Sequence, residues 1–382
     1  MQEHKMALVL NEEQQLLQDS AKTFLQECAP VDSLRKLRDA GEQWSPALWT
    51  DMAEMGWAGI VVPEEYDGLN FGYVGAGLLV EECGRTLASS PLTSSALVCS
   101  SLVSGLCNEE QKQAILPAVA SGELVLTLAV NETARPCPEA TAMTAVVDGD
   151  DFVLNGNKVH VIDGMIAHKF LVVARTDGVA GDQNGLSLFM VDRELEGLSF
   201  TGILTADNHQ LANIQFDSVS VGQEALLGAA GNCWSELERA LDIGAACSAA
   251  ELFGIAQESF ERTIQYLKER KQFGVLVGSF QALQHRAALL FCELNLCKSM
   301  LLKALQAVDE NGADRSLMAS MAKIKCGKTA KLAVNEAVQM HGGIGMTDEF
   351  DIGFFMKRAA AARQEYGNEY YHSDRFGQLR GY

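Results

Sequence analysis

No apolar run in this chain approaches the roughly 20 residues a helix needs to cross a bilayer. The opening Met1-Gln2-Glu3-His4-Lys5 lacks the charged-then-apolar order of a secretion signal, so a cytoplasmic protein is expected. None of the ten cysteines pairs with another at the two-residue gap of a zinc or redox motif, and Cys292 and Cys297 are too widely spaced for one. With no export signal they are expected to be reduced thiols, most acting as small buried hydrophobes, and no metal site is expected. Positive charge is scarce: 30 Lys and Arg against 50 Asp and Glu leave a net charge of −20. That disfavours nucleic acid and anionic membranes as partners. It also means that a phosphate-bearing ligand needs a local basic group or a helix N-terminus against a repulsive background. Internal repeats and low-complexity segments are absent as well.

What is present suits a globular protein. The 382 residues, 48% of them hydrophobic, suffice for two or three domains with a sizeable core. From about residue 10 to 122 the pattern is helical. Asn11 before Glu12-Glu13-Gln14 reads as an N-cap with Gln14 as its box partner, and Leu17, Ala21, Phe24 and Leu25 share one helical face. Val62-Pro63-Glu64-Glu65-Tyr66-Asp67-Gly68-Leu69 is dense in turn residues, and helix resumes from Gly75 to Arg85. From about 123 the period shortens. Leu124 to Val130, Ala142 to Val147, Phe152 to Leu154, Phe170 to Ala174, Leu188 to Val191 and Ile214 to Phe216 are β-prone runs. Asp148-Gly149-Asp150, Asn155-Gly156-Asn157 and Asp177-Gly178 separate them. This predicts a β-barrel or sandwich of roughly 100 residues. Helical patterns then return over Ser235 to Lys268, Phe280 to Asp309, Ala313 to Met340 and Phe354 to Ala362.

Two segments at helix ends carry chemistry. In Arg270-Lys271-Gln272-Phe273-Gly274, Arg270 is a permanently charged fork suited to a pyrophosphate, and Phe273 can lie against an aromatic ring system. In Gln339-Met340-His341-Gly342-Gly343-Ile344-Gly345, the glycines let backbone approach a ligand and present N–H groups. Gln281 and Gln339 can bond a ribityl chain or adenine. Each segment also has a plain structural reading, with Arg270 compensating a helix dipole and Gly342 serving as a C-cap.

Together with Leu10-Asn11-Glu12-Glu13-Gln14, Val62 to Leu69, Asn155-Gly156-Asn157-Lys158 and Ser279-Phe280-Gln281-Ala282, in this order, the two segments resemble the acyl-CoA dehydrogenase family over almost the whole chain. The resemblance implies an α+β subunit with an N-terminal helical domain (1–122), a middle β-barrel (123–231) and a C-terminal four-helix bundle (232–382). It implies FAD at a subunit interface, a homotetramer or an α2β2 heterotetramer, an acyl-CoA substrate, a role in lipid metabolism and an electron-transfer flavoprotein as oxidant. It assigns FAD contacts to Arg270, Gln272, Phe273, Gln281, Gln339, Gly342 and Gly343, facing mostly the adenine and pyrophosphate end of a neighbouring subunit's cofactor.

The reacting end departs from the family. Removal of a weakly acidic α-proton calls for a positioned carboxylate in a dry pocket. The family's usual base lies in a Tyr-Glu-Gly-Thr turn near the C-terminus. Here that stretch reads Glu365-Tyr366-Gly367-Asn368-Glu369, which places Gly367 or Asn368 at the base. The family's other base position falls on Gly244. Glu251, two turns beyond Gly244, and Glu369 are the remaining candidates, and both are weak. The Thr-Glu-Pro-x-Ala-Gly-Ser-Asp-like segment is Asn131-Glu132-Thr133-Ala134-Arg135-Pro136-Cys137 here, and the family's Trp-Ile-Thr is His160-Val161-Ile162. Groups that would hold the subunit's own isoalloxazine are degraded, while groups that reach a neighbour's FAD are intact. Three functions follow: a dehydrogenase with a displaced base, a non-catalytic partner subunit of a heteromeric dehydrogenase, or a member that only binds. The acyl group is not legible; the small residues from Cys247 to Gly254 suit a wide pocket and ordinary helix packing equally.

Overall fold

The computed structural model describes residues 9–382. Its helices are α1 (Glu12–Cys28), α2 (Val31–Ala40), α3 (Pro46–Glu54), α4 (Tyr73–Thr86), α5 (Ser100–Leu106), α6 (Glu109–Ala120), α7 (Trp234–Glu269), α8 (Gln281–Asp309), α9 (Arg315–His341), α10 (Ile352–Ala362) and α11 (Glu369–Leu379). Its strands are β1 (Leu126–Ala129), β2 (Thr144–Asp148), β3 (Asp151–Ile162), β4 (Lys169–Arg175), β5 (Leu186–Asp192), β6 (Leu198–Leu204), β7 (Gln210–Gly222), β8 (Leu226–Leu227), β9 (Lys271–Gln272) and β10 (Val275–Leu276). No helix among the described residues is long and apolar enough to cross a membrane.

Two compact units emerge. One comprises the described residues up to Glu42, Tyr73–Ser89 and Ala245–Tyr382; the other comprises Gln43–Gly72 and Ser90–Gly244.

The first unit is helical. Asn11 and Gln14 form the reciprocal capping box at the start of α1, and Ala21 and Leu25 bury its inner face. Helix α4 is buried on nearly every side. Its first amides, of Tyr73 and Val74, donate to the Asp309 carboxylate at 2.5 and 3.0 Å, which satisfies two donors a helix start otherwise leaves open. Helices α4 and α7 cross closely because both carry glycine at the contact. A Cβ on Gly84 would stand 2.3 Å from the Glu251 carbonyl oxygen, and one on Gly254 would stand 2.0 Å from that of Glu81.

The second unit is built on one eight-stranded sheet in the order β6-β7-β3-β2-β4-β5-β8, with β1 parallel to β4. Phe152, Phe170, Phe189, Ile214 and Phe216 fill a core shared by its strands. β7 alternates buried and exposed residues until Ser218, whose φ of 55° accompanies a register shift against β3 between Leu154 and Gly156. Lys158, fully buried, donates to the Glu132 carboxylate at 2.8 Å and to the Val130 carbonyl at 3.1 Å. Burial pulls the Lys158 pKa down to about 8 against the pull of Glu132.

The sequence pattern omitted α11 and β6. In α11 only His372 is buried, so no apolar periodicity marks it. In β6 no residue is fully buried, so alternation is weak.

Candidate functional site

Helix α7 ends with the Arg270 amide donating to the Tyr266 carbonyl at 2.9 Å. β9 and β10 then form a hairpin whose two turn residues, Phe273 and Gly274, have φ of 55° and 82°. Such turns favour Asn-Gly or Gly-Gly, so a bulky aromatic at a left-handed position is a local outlier. Phe273 is also 89% exposed, touching Phe280 edge-on at 6.3 Å. A strained, solvent-facing aromatic at a hairpin tip suits contact with another molecule better than it suits stability. Arg270, Gln272 and Gln281 are exposed beside it.

The second segment closes α9. Gln339 is exposed, Gly342 takes φ 65°, and a Cβ on Gly342 or Gly343 would meet nothing within 4 Å. The structure joins this turn to the end of α7. The Tyr266 ring lies 4.4 Å from that of His341, and the Tyr266 hydroxyl donates to the His341 carbonyl at 3.3 Å. His341 is buried, with Nδ1–H donating to the Ala337 carbonyl at 2.7 Å and Nε2 buried without a partner. Burial lowers its pKa, so the ring is neutral.

The acids are not free. Arg358, buried on α10, holds Glu251 bidentately, Nε to Oε1 at 2.5 Å and Nη2 to Oε2 at 2.8 Å. It also donates to Glu365 at 2.7 and 3.2 Å. Glu369 is ion-paired with Arg363. Burial pushes the Glu369 pKa up, but its own backbone amide and Arg363 outweigh this and hold it below the usual carboxylate value. Beneath this cluster the buried Lys323 ammonium donates to Ser248 Oγ at 2.6 Å and to the Ala362 carbonyl at 2.7 Å.

The turn before α11 has a definite geometry. Tyr366 takes φ 52° and Gly367 φ 98°. A Cβ on Gly367 would lie 2.4 Å from the Tyr371 ring and 2.9 Å from His372 Nε2, so no side chain fits there. The Asn368 carboxamide oxygen accepts from the Tyr370 and Tyr371 amides, each at 3.1 Å, and caps α11. His372 Nε2 donates to the Tyr366 carbonyl at 2.9 Å, which leaves Nδ1 to accept from Ser320 Oγ at 3.2 Å.

In the second unit, Glu132 accepts from the Ala142 and Met143 amides at 2.8 and 3.0 Å, tying the segment after β1 to the start of β2. His160 is exposed on a bulge at φ 53°, and Ile162 is half-buried and paired with Leu211.

Comparison with known proteins accords with this geometry. Residues 11–123, 133–219 and 231–376 match, respectively, the N-terminal, middle and C-terminal domain families of acyl-CoA dehydrogenase. A probable acyl-CoA dehydrogenase of Bacillus subtilis, YngJ, is 31% identical over 361 residues, 93% of this chain and 94% of its own. The chain belongs to the acyl-CoA dehydrogenase family. Among solved structures, a chain from work on the electron transferring flavoprotein of Acidaminococcus fermentans is 28% identical with a TM-score of 0.91, covering 98% of this chain and all of its own. A chain of the Tcur3481-Tcur3483 steroid ACAD is 29% identical with a TM-score of 0.87, covering 97% and 98%.

Acyl-CoA dehydrogenases are FAD-dependent oxidoreductases, and the exposed residues of this chain are chemically suited to that cofactor. The Arg270 guanidinium, three exposed glutamine side chains and an open glycine turn supply the donors a pyrophosphate and its sugars need, and His341 Nε2 remains an unused acceptor at the base of the turn. Tyr266, which unites the two segments, escaped the sequence reading, and its partner His341 stood there within the glycine segment without a role. Tyr266 sits one turn before Arg270, a spacing that offers a sequence-level signal for it. Arg358 also escaped, since nothing local marks its partners.

His372 leads to a prediction. Burial, then Lys323 and Arg375, push its pKa down to about 3 against the pull of the Tyr366 carbonyl. The folded value lies below the unfolded one of about 6.5, so the stabilisation it lends is full above that pH and is lost as pH falls toward 3. Urea unfolding of His372→Gln across this range is expected to show lower stability at neutral pH and a shallower loss toward acid than the parent. An unchanged acid slope would refute the assignment.

Proposed function

We propose that this chain serves an FAD-dependent dehydrogenase that desaturates an acyl-CoA thioester between Cα and Cβ. The carrying observation is the set of exposed residues at the end of α7, the start of α8 and the end of α9: Arg270, Gln272, Phe273, Gln281, Gln339 and the open Gly342-Gly343 turn. Arg270 would hold the pyrophosphate as a charged fork, Phe273 would lie against an aromatic face, and the turn amides would take phosphate oxygens. FAD, when bound, supplies the acceptor for the β-hydride. An electron-transfer flavoprotein as oxidant and a tetrameric assembly belong to the same proposal.

One observation favours a more specific reading. If the Gly-Thr pair of the family's turn corresponds to Gly367-Asn368, a glycine with no room for a side chain followed by a helix cap, then the base falls on Tyr366 rather than on Gly367 or Asn368. A protonated phenol has no free carboxylate to take this proton and is a poor base for it. Glu251 and Glu369, each held by an arginine, are not free to replace it. In this reading the chain is the partner subunit of a heteromeric dehydrogenase. It completes a neighbour's FAD site, and the neighbour supplies the carboxylate. The two-component name of the steroid ACAD relative, Tcur3481-Tcur3483, supports the reading by analogy.

The test is to purify the chain alone and together with a genomically adjacent family member. Yellow colour and bleaching by an acyl-CoA only in the mixture are expected. Stoichiometric FAD with bleaching from this chain alone would return the displaced-base reading. No flavin under either condition would overturn both.

A further inference from the structure

The two FAD-facing segments come from helices far apart in sequence, and Tyr266 touches both. Its carbonyl receives the Arg270 amide at 2.9 Å, and its hydroxyl donates to the His341 carbonyl at 3.3 Å. Its ring lies over His341 at 4.4 Å with a 34° interplanar angle, and Phe350 covers His341 at 4.6 Å. The imidazole packs against both rings, which themselves lie 6.4 Å apart, and is only 3% exposed directly before Gly342. Burying it this way strands Nε2 without a partner. That arrangement costs stability, so the stack is poorly explained as simple core filling.

The segment beyond the turn is pinned as well. Asp351 receives Arg35 at 3.1 Å and Arg262 at 3.0 Å, and Asp348 receives Arg38 at 2.6 Å. Between these anchors, Gly342, Gly343 and Ile344 stay exposed. The turn follows the C-terminal end of α9, where the helix dipole repels phosphate. Anion binding there depends on holding the turn amides in one arrangement, and glycines do not hold themselves.

We infer that Tyr266 and His341 act as a latch that sets the Gly342-Gly343 turn at a fixed distance from Arg270, and that they are positioning residues for the diphosphate of FAD. The inference rests on the FAD role proposed above. The hydroxyl-to-carbonyl bond fixes the end of α9 to the end of α7. The aromatic stack fixes its rotation.

Tyr266→Phe tests this, since it keeps the ring and removes the donor. Three quantities are read on the full chain, mixed with its partner subunit if FAD binding requires one. These are the Kd for FAD, amide hydrogen exchange at residues 342–346, and the melting temperature. The expected result is FAD binding weaker by about tenfold and faster exchange confined to 342–346. The melting temperature should stay near the parent's. His341→Ala should behave likewise, and His341→Phe, which restores a ring to the stack, should recover most of the affinity. Unchanged Kd and exchange in Tyr266→Phe, with the parent binding FAD, would overturn the latch and leave the proposed function standing. Faster exchange throughout the helical unit with a fallen melting temperature would also overturn it, by showing a merely structural role. If the parent takes up no FAD, alone or mixed, the proposed function fails instead; faster exchange at 342–346 would still support the latch itself.

Discussion

Tyr366→Glu is expected to raise acyl-CoA-dependent flavin reduction by this chain about 10²- to 10⁴-fold, the range a positioned general base contributes. The expectation follows from the turn before α11. Gly367 has φ 98° and the Tyr371 ring where its Cβ would stand, while Asn368 is committed to capping α11. Tyr366 is the remaining position in the turn that already carries a side chain, and its left-handed backbone is held by His372 at 2.9 Å. A glutamate there inherits a conformation the fold has already imposed, so little further strain is added. The measurement is anaerobic bleaching by an acyl-CoA of this chain loaded with FAD together with a partner subunit whose own base has been replaced by glutamine. Gly367→Glu serves as the contrasting variant and should lose folding or activity, because its side chain has no space. An inert Tyr366→Glu in a flavin-loaded protein, or an active Gly367→Glu, would show that the register is wrong.

Arg358→Ala is expected to cost about 3–5 kcal/mol of stability, the usual penalty when one partner of a buried ion pair is removed. Arg358 is 6% exposed and carries two carboxylates, Glu251 and Glu365. Deleting the guanidinium leaves both without it, and Lys323, already donating to Ser248 and Ala362, stands too far committed to replace it fully. A triple variant, Arg358→Met with Glu251→Gln and Glu365→Gln, removes charge from both sides and should recover much of the loss. Chemical unfolding of the two variants decides the point. A cost near zero for Arg358→Ala would mean that water reaches the cluster and that Glu251 is freer than its contacts imply.

Legibility in the sequence followed the range of the interactions. The capping box of Asn11 and Gln14 and the long helices depend on neighbours within a few residues, and each stands where the pattern places it; the short hairpin after Arg270 reads from sequence only as a helix end with a turn. Helix α11 was missed because its one buried residue, His372, is polar. The fate of Glu251 was also hidden. A semi-buried carboxylate among alanines and leucine reads the same from sequence whether it is free or paired, and the residue that pairs it lies 107 positions away.

By itself the sequence determined the family, the helix–sheet–helix order and the two motif-bearing segments at the ends of α7 and α9, since these rest on periodicity and on short motifs that carry their own geometry. The tertiary structure decided which acids are tied to arginines, that Gly367 admits no side chain, and that Tyr266 fastens the end of α7 to the end of α9. Each of those facts is a contact between residues whose separation along the chain says nothing about their distance in space, and the packing of the helices sets that distance.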